Sequence, residues 1–226
     1  NGQSFSSYSG IALGHRRLSI IDLSESSSQP MTNWQKKLWI VYNGELYNYI
    51  EIKKELITLG HRFRTESDTE VVLLAYQQWG ESCLSRFNGM FAYAIWNEND
   101  QSLFCARDPL GIKPFYFTLD DFSFRFASES RALVKDRNKT LDTQALYLYL
   151  FAMYVPRKKS IFSGVEKLLP GHYIKITKDG QRKIVNYWKL PPSGMDKRIS
   201  SEVIEGIQFF FDKAVASQLR SDVPVG

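Results

Sequence analysis

Cysteine is scarce in this chain, because only Cys83 and Cys105 occur among its 226 residues. Two cysteines without CxxC spacing or a neighbouring histidine cluster exclude a disulfide-rich scaffold and give no metal-site pattern. We therefore expect no metal ion in this chain. Both thiols are expected to be small, buried apolar side chains.

Long apolar runs are also missing. No stretch of roughly 18 apolar residues could span a bilayer, and the first residues lack the basic and apolar regions of a signal peptide. The net charge of +5 is modest, and the basic residues are scattered among acidic ones instead of forming a stripe. These features predict a cytoplasmic protein that binds neither membranes nor nucleic acids.

Segments rich in β-branched and aromatic residues alternate with turn residues along most of the chain. Several of them are apolar on both sides, which is typical of sheets covered by other layers. A strand that begins at Leu38 carries Asn43-Gly44, and this dipeptide predicts a turn at its end. Other strands are predicted near residues 10–14 and 17–22, in hairpins over 90–108 and 172–188, and over 114–120 and 122–129.

Helical spacing of apolar residues predicts a helix over residues 47–59, with Gly60 in the position that commonly follows a helix. A second helix should begin at a cap formed by Ser67 or Asp68 and reach Gly80. Further helical segments are predicted from Ser128, over residues 142–154 and over residues 199–219. The stretch Pro191-Pro192-Ser193-Gly194 predicts a domain boundary.

The usual portable catalytic motifs, such as HExxH, GxGxxG and the Walker loop, are absent. The Asn43-Gly44 pair is informative, because a side-chain amide and a backbone N–H freed at a turn can point together at a developing negative charge. From these two residues alone, an ordinary strand-ending turn is the simpler interpretation.

Seven segments between residues 14 and 134 follow one another with consistent spacing: GHRRLSIID, QPM, YNGELYNYIEIKKEL, SDTEVVLLAYQQWG, NGMFAYAIWN, ARDPLGIKPFYF and ASESRALV. Together they resemble the class II glutamine amidotransferase domain of asparagine synthetases, which belongs to the N-terminal-nucleophile hydrolases. The match continues through LLPGHYIKI to SDVPVG and covers nearly the whole chain.

The resemblance implies an α+β fold. It would be a four-layer αββα sandwich of two mainly antiparallel sheets, with the first strand and helix missing. The amidotransferase domain would cover residues 1–190. Residues 191–226 would be a linker and the first helix of an ATP pyrophosphatase-like synthetase domain.

The resemblance also implies which residues bind glutamine. Asn43 and Gly44 would form the oxyanion hole, and Arg17 would pair with the α-carboxylate through two parallel hydrogen bonds. Glu45 and Asp68 would bind the α-amino group. Backbone atoms of three further residues would line the same site: Leu18, Ile20 and Ile21.

Each of these side chains also has a structural interpretation. Arg17 beside Arg16 fits a solvated surface pair, Glu45 a turn residue, and Asp68 a helix cap. The strong family stretch around Arg107-Asp108 fits a structural loop, so no catalytic role is assigned to it.

The sequence departs from the family pattern at both ends. The family begins with Cys-Gly-Ile, whose cysteine thiol attacks glutamine while its own α-amino group acts as the base, and it carries an HRGPD segment. Neither stands here, and Cys83 and Cys105 have no free α-amino group. The family's SGGLDS-type loop, which holds the ATP pyrophosphate, would begin after Gly226. We therefore expect a fragment that is inactive, binds no cofactor and is poorly stable alone.

The parent protein is predicted to be an asparagine synthetase that hydrolyses glutamine, uses ATP and Mg²⁺ to amidate aspartate, and forms a homodimer. Two alternatives stay open. One is an amidotransferase with another carboxylate acceptor, such as a β-lactam-forming or polysaccharide-tailoring relative. The other is a non-catalytic module that binds an amino acid.

Overall fold

A six-stranded antiparallel sheet forms the centre of the fold. The computed structural model describes residues 2–6, 10–17, 21–120, 123–134, 140–192 and 200–223. Along the sheet the strands lie in the order β11, β10, β6, β5, β4, β3. Their bounds are β3 (Met31–Thr32), β4 (Leu38–Leu46), β5 (Gly89–Asn97), β6 (Ser102–Arg107), β10 (His172–Ile176) and β11 (Arg182–Asn186).

Two helices cover one face of this sheet, α1 (Tyr49–Thr58) and α2 (Asp68–Trp79). The apolar side chains of α2 are buried almost completely and pack against aromatic residues such as Phe91 and Tyr93 of β5. As predicted, Gly60 follows α1, with a positive φ of 91° that suits glycine. The helical layer therefore fixes one face of β4 and β5.

A second sheet covers the opposite face. It contains β7 (Tyr116–Leu119), β8 (Phe124–Ala127) and β9 (Val165–Lys167) in the order β8, β7, β9. A two-stranded ribbon of β1 (Gly2–Ser6) and β2 (Ile11–His15) adjoins it, and Leu13 of β2 joins the same buried cluster as Phe117 and Val41. Strands β4 and β5 are thus enclosed from both sides.

The remaining elements are peripheral. Helix α3 spans Thr143–Ala152 and helix α4 spans Ser200–Gln218. In the described part of the chain, 3-10 segments cover Glu25–Ser27, Gly80–Arg86 and Ser130–Val134. Within the described ranges, no helix combines the length and the apolar character needed to cross a bilayer.

The fold is α+β with two packed antiparallel sheets, as the sequence predicts. Two local predictions were wrong. Strand β4 does not end at Asn43-Gly44 but continues to Leu46, because both residues pair with β5. Of the strand expected over 17–22, the described residues Arg17 and Ile21–Asp22 have irregular backbone. Strand β1 lies in the polar opening of the chain, for which no element was predicted.

Candidate active site

Strand β4 carries Asn43, Gly44 and Glu45 into the centre of the site. In the register with β5, Asn43 lies opposite Ala92 and Gly44 opposite Phe91. Side chains alternate along a strand, so Asn43 and Glu45 share one face, the face toward the second sheet. The Asn43 amide Nδ2 donates to Ser128 Oγ at 3.3 Å, which gives this side chain a defined orientation.

The backbone N–H of Gly44 points away from β5. Phe91 lies opposite Gly44 on β5, and both of its backbone groups point away from β4. The Phe91 N–H donates to Asp108 Oδ2 at 3.3 Å, and the Phe91 carbonyl accepts from the Asp108 N–H at 2.8 Å. Gly44 and Phe91 therefore form a non-hydrogen-bonded pair, in which the peptide groups face outward. The Gly44 N–H is directed to the edge of β4 that β3 leaves uncovered.

Side chains satisfy the donors on both sides of Gly44 along this edge. The Tyr42 N–H donates to Gln29 Oε1 at 2.6 Å, and the Tyr42 carbonyl accepts from Gln29 Nε2 at 3.1 Å. The Leu46 N–H donates to Asp68 Oδ2 at 3.0 Å. The Gly44 N–H lies between these two occupied positions, and β5 approaches so closely that no side chain fits at Gly44.

Arg17 is oriented by the loop that follows it. Its Nη2 donates to the carbonyls of Ile21 and Asp22, both at 2.6 Å, and its Nη1 donates to the Ser24 carbonyl at 3.5 Å. These acceptors are neutral, so they fix the guanidinium without neutralising its charge. An Arg held in this way is suited to an anionic group of a ligand. The surface-pair interpretation of Arg17 is therefore not favoured.

Asp68 is buried at the start of α2 but does not cap the helix. Ser67 is the cap, since its Oγ accepts from the Thr69 N–H at 3.2 Å. The Asp68 carboxylate instead accepts from the Tyr42 hydroxyl at 3.1 Å and from the Leu46 N–H. Burial raises the pKa of Asp68, and these hydrogen bonds together with the charge of Arg17 oppose the rise.

Glu45 is half-buried and electrostatically coupled to Asp68. Burial raises the pKa of Glu45, the nearby Asp68 carboxylate raises it further, and the Lys113 ammonium lowers it. Two carboxylates with raised pKa values beside one space form a site that gains stability from a cation.

One cavity of about 410 Å³ joins these groups. Arg17, Ile21, Asn43, Gly44, Glu45 and Asp68, all predicted from the sequence, line it. Leu18 and Ile20 lie outside the described residues. Its other walls come from Gly14, His15, Arg16, Gln29, Tyr42, Thr69, Met90, Lys113, Ser128 and Glu129.

Several lining residues were not found from the sequence. His15, Gln29, Lys113 and the adjacent pair Ser128 and Glu129 come from four separate segments, and only the fold brings them together. Gln29 belongs to the QPM segment, which was noted but given no role. His15 Nδ1 is buried and has no partner among the described residues, and burial lowers the pKa of this histidine.

The Arg107-Asp108 stretch organises a loop, as its structural interpretation predicts. The Arg107 guanidinium donates to the carbonyls of Gly111, Lys113 and Leu168 at 2.6–2.7 Å. Asp108 is buried and accepts from the backbone N–H groups of the same loop, including that of Lys113 at 3.0 Å. This loop places Lys113 at the cavity.

The two thiols are unsuited to nucleophilic attack. Cys83 and Cys105 are both fully buried in the core. Burial raises the pKa of Cys83 to about 12 and raises that of Cys105 as well, so neither forms a thiolate near neutral pH. In the described part of the chain, no group of three or more His, Cys, Asp or Glu side chains could hold a metal ion.

The arrangement fits a zwitterionic ligand with a carbonyl group. Arg17 presents a positive charge, Glu45 and Asp68 present carboxylates, and Asn43 with Gly44 presents two N–H donors. Residues 1–188 match the family model described as the glutamine amidotransferase domain. This chain belongs to that family.

Named relatives of this glutamine amidotransferase domain include "Asparagine synthetase [glutamine-hydrolyzing] 1" of Bacillus subtilis strain 168. It is 40% identical over 220 residues, which cover 96% of this chain and 34% of the relative. "Putative asparagine synthetase [glutamine-hydrolyzing] 2" of Methanocaldococcus jannaschii is 37% identical, and the match covers 98% of this chain and 46% of the relative. The amidotransferase domain therefore spans less than half the length of either protein.

A solved structure supports the fold. Glutamine phosphoribosylpyrophosphate (PRPP) amidotransferase from B. subtilis, complexed with ADP and GMP, aligns with a TM-score of 0.54 and 22% sequence identity. The alignment covers 77% of this amidotransferase domain and 34% of that chain. At this identity the likeness concerns the fold alone.

Proposed function

We propose that this chain is the glutaminase portion of an asparagine synthetase. The parent protein, meaning the full-length protein that would contain it, hydrolyses glutamine and transfers the ammonia to aspartate in an ATP-dependent reaction. The observation that carries the proposal is the Gly44 N–H at an uncovered strand edge, beside the Asn43 amide and across one cavity from Arg17. The names of the relatives support the choice of acceptor.

Glutamine binding follows from the charges of the cavity. Arg17 receives the α-carboxylate, while Glu45 and Asp68 receive the α-ammonium group. This pairing explains why two carboxylates are kept close together in a partly buried site, since the ligand supplies the compensating charge. Backbone atoms of Leu18, Ile20 and Ile21 are proposed to complete the wall near Arg17.

Hydrolysis proceeds through a thioester. The N-terminal cysteine thiol of the family attacks the side-chain carbonyl of glutamine, and its α-amino group accepts the thiol proton and delivers it to the leaving ammonia. Water then cleaves the thioester and releases glutamate. The Asn43 Nδ2 and Gly44 N–H donate hydrogen bonds to the oxyanion in both steps. Cys83 and Cys105 take no part, because both are buried and protonated.

Residues 1–190 are assigned to the amidotransferase domain. Residues 191–226 are assigned to a linker and the first helix of the synthetase domain, where ATP, Mg²⁺ and aspartate would bind. No described residue of this chain is assigned to hold them. A cytoplasmic location and a homodimer are proposed for the parent protein.

The test is glutamine-dependent asparagine formation by the parent protein with ATP, beside the same reaction with ammonia. Arg17→Ala should raise the KM for glutamine by about ten- to a hundredfold, the effect of losing a charged hydrogen-bonding partner. Its ammonia-dependent activity should stay at the wild-type level. The exposed Arg62 supplies a matched control, and Arg62→Ala should leave both reactions unchanged.

Other outcomes identify the alternatives. Glutamine hydrolysis without asparagine would point to another carboxylate acceptor. Glutamine binding without turnover would point to an amino-acid-binding module and would overturn the proposal.

A further inference from the structure

The end of the described chain returns to the loop that orients Arg17. In the segment that follows helix α4 in the chain, the Asp222 carboxylate Oδ2 accepts a hydrogen bond from the Asp22 backbone N–H at 2.7 Å. The two residues are 200 positions apart in sequence. This contact joins the segment behind α4 to the wall of the candidate active site.

Arg220 anchors the same segment. Its Nη1 donates to the Tyr47 carbonyl at 2.7 Å, and its guanidinium holds both carboxylate oxygens of Glu51 at 2.8 and 2.9 Å. The two-pronged contact fixes direction as well as distance. Arg220 lowers the pKa of Glu51, as an ion pair should. Asp222, two residues on, is thereby held beside Asp22.

Asp22 connects Asp222 to Arg17. The Asp22 carbonyl accepts from Arg17 Nη2 at 2.6 Å, while its N–H donates to Asp222. Its carboxylate accepts from the Ser24 N–H at 3.0 Å and from the Glu66 N–H at 2.8 Å. Every polar group of Asp22 is therefore engaged.

The backbone of Asp22 needs this support. Its φ is 52°, in the left-handed region that favours glycine. Such a conformation persists where surrounding contacts determine it. If the Asp222 contact is removed, the loop can relax, and the carbonyl that orients the Arg17 guanidinium moves with it.

We propose that Asp222 is a positioning residue for Arg17 and hence for the α-carboxylate of bound glutamine. The proposal rests on the function proposed above. It makes the glutamine site sensitive to the position of the segment behind α4, which in the parent protein leads toward the synthetase half. Glutamine affinity is then linked to that half through the side chains of Asp222 and Arg17 and the backbone of Asp22.

The experiment uses the parent protein and measures both turnover and binding. Asp222→Ala should raise the KM for glutamine about tenfold, the effect of losing one hydrogen bond to a charged group. Its kcat at saturating glutamine and its ammonia-dependent rate should change by less than about twofold, because the reacting groups stay in place. The calorimetric Kd for L-glutamate, which carries the same α-carboxylate, should rise by the same factor as the KM.

Two further variants test the mechanism. Asp222→Asn keeps an oxygen that accepts from the Asp22 N–H and should restore the KM to within about twofold of wild type. Arg220→Gln releases the anchor without touching Asp222 and should raise the KM in the same direction. The control is Glu55→Ala, which removes the similarly exposed ion pair between Glu55 of α1 and Arg86, at 2.9 Å, and should not change the KM.

A wild-type KM and Kd in Asp222→Ala would overturn the inference, as would equal losses with glutamine and with ammonia. A wild-type protein that binds L-glutamate without hydrolysing glutamine would contradict only the proposed function, because the Kd comparison still decides the role of Asp222. A wild-type protein that binds no L-glutamate would overturn both.

Discussion

Gly44 and Phe91 lie so close across strands β4 and β5 that a Cβ atom on Gly44 would stand 2.7 Å from the Phe91 Cα. It would also overlap the carbonyl oxygen of Met90. These atoms belong to the backbone of a central strand, which cannot move aside without disturbing both packed faces.

Gly44→Ala is therefore expected to lower the free energy of unfolding by about 1–3 kcal/mol, the usual cost of overpacking. It should also abolish glutamine-dependent turnover in the parent protein, because the displaced strand moves the Gly44 N–H. Urea unfolding measures the first effect. Gly14→Ala is the matched control for stability, since a Cβ there meets no atom within 4 Å. Equal stability of the two variants would contradict the packing argument.

The Asn43-Gly44 dipeptide also marks the limit of what the sequence predicts. Its residue types favour a turn, but pairing with Ala92 and Phe91 keeps the strand extended to Leu46. Local preference was overridden by a contact more than 40 positions away, and a single sequence carries no signal for such pairing. The helices were predicted more reliably, because α1 and α2 follow from local spacing and caps.

The candidate site residues were predicted from the family resemblance and not from physical reasoning on the sequence. Arg17, Glu45 and Asp68 each have an ordinary structural interpretation beside the ligand-binding one. Only their arrangement around one cavity favours ligand binding. Lys113 and Ser128 escaped notice because their neighbours in space are distant in the chain. The binding roles of Arg17, Glu45 and Asp68 stay predictions.

The pH dependence of glutamine binding should depend on Asp68. Burial raises its pKa, so on acidification the carboxyl takes up a proton above the usual range near pH 4 and loses its attraction for an ammonium group. We expect kcat/KM for glutamine in the parent protein to fall on acidification at a pH above this ordinary range. The ammonia-dependent reaction should lack this dependence.

Asp68→Asn separates binding from stability. The folded state holds the Asp68 proton more tightly than the unfolded state does, because the pKa of Asp68 is raised on folding. Above the raised pKa the ionised carboxylate therefore opposes folding. This cost disappears as the pH falls from the raised pKa to the ordinary one. The variant should therefore unfold at neutral pH at no lower urea concentration than wild type, while its KM for glutamine rises about tenfold or more. A marked loss of stability with an unchanged KM would show that Asp68 is only structural.

Gln29 should matter for stability and turnover together. Gln29→Ala leaves the Tyr42 N–H and carbonyl without their partners at 2.6 and 3.1 Å, in a buried position. We expect a loss of about 1–3 kcal/mol in the free energy of unfolding and a lower kcat with glutamine in the parent protein. Gln35→Ala, on the exposed surface, should change neither quantity. Tyr42 lies two residues before Gly44 on the same strand edge, so we expect the lost contacts to shift the Gly44 N–H. A kcat equal to that of Gln35→Ala would contradict this role of Gln29.

The isolated chain is expected to associate with itself. Helix α3 exposes 69% of Leu150 and 82% of Phe151, and α4 exposes 67% of Phe211. Exposed apolar faces of this kind favour association. Replacing Leu150 and Phe151 with lysine should lower the apparent mass measured by light scattering. A monodisperse monomer of the unaltered chain that melts cooperatively at high temperature would contradict the expected poor stability.

Because strand β3 is short, the backbone N–H of Gly44 has no partner strand among the described residues on that edge of β4. In the register of Met31 opposite Ile40, a longer β3 would place its own backbone opposite Tyr42 and Gly44, and the sheet would consume the Gly44 N–H. Strand β3 covers only Met31–Thr32, and a single amide side chain, that of Gln29, bonds the Tyr42 N–H and carbonyl in place of a neighbouring strand. The Gly44 N–H is therefore available to a ligand because β3 ends before it reaches this position. A longer β3 would occupy the Gly44 N–H without any substitution at Arg17, Asn43, Glu45 or Asp68.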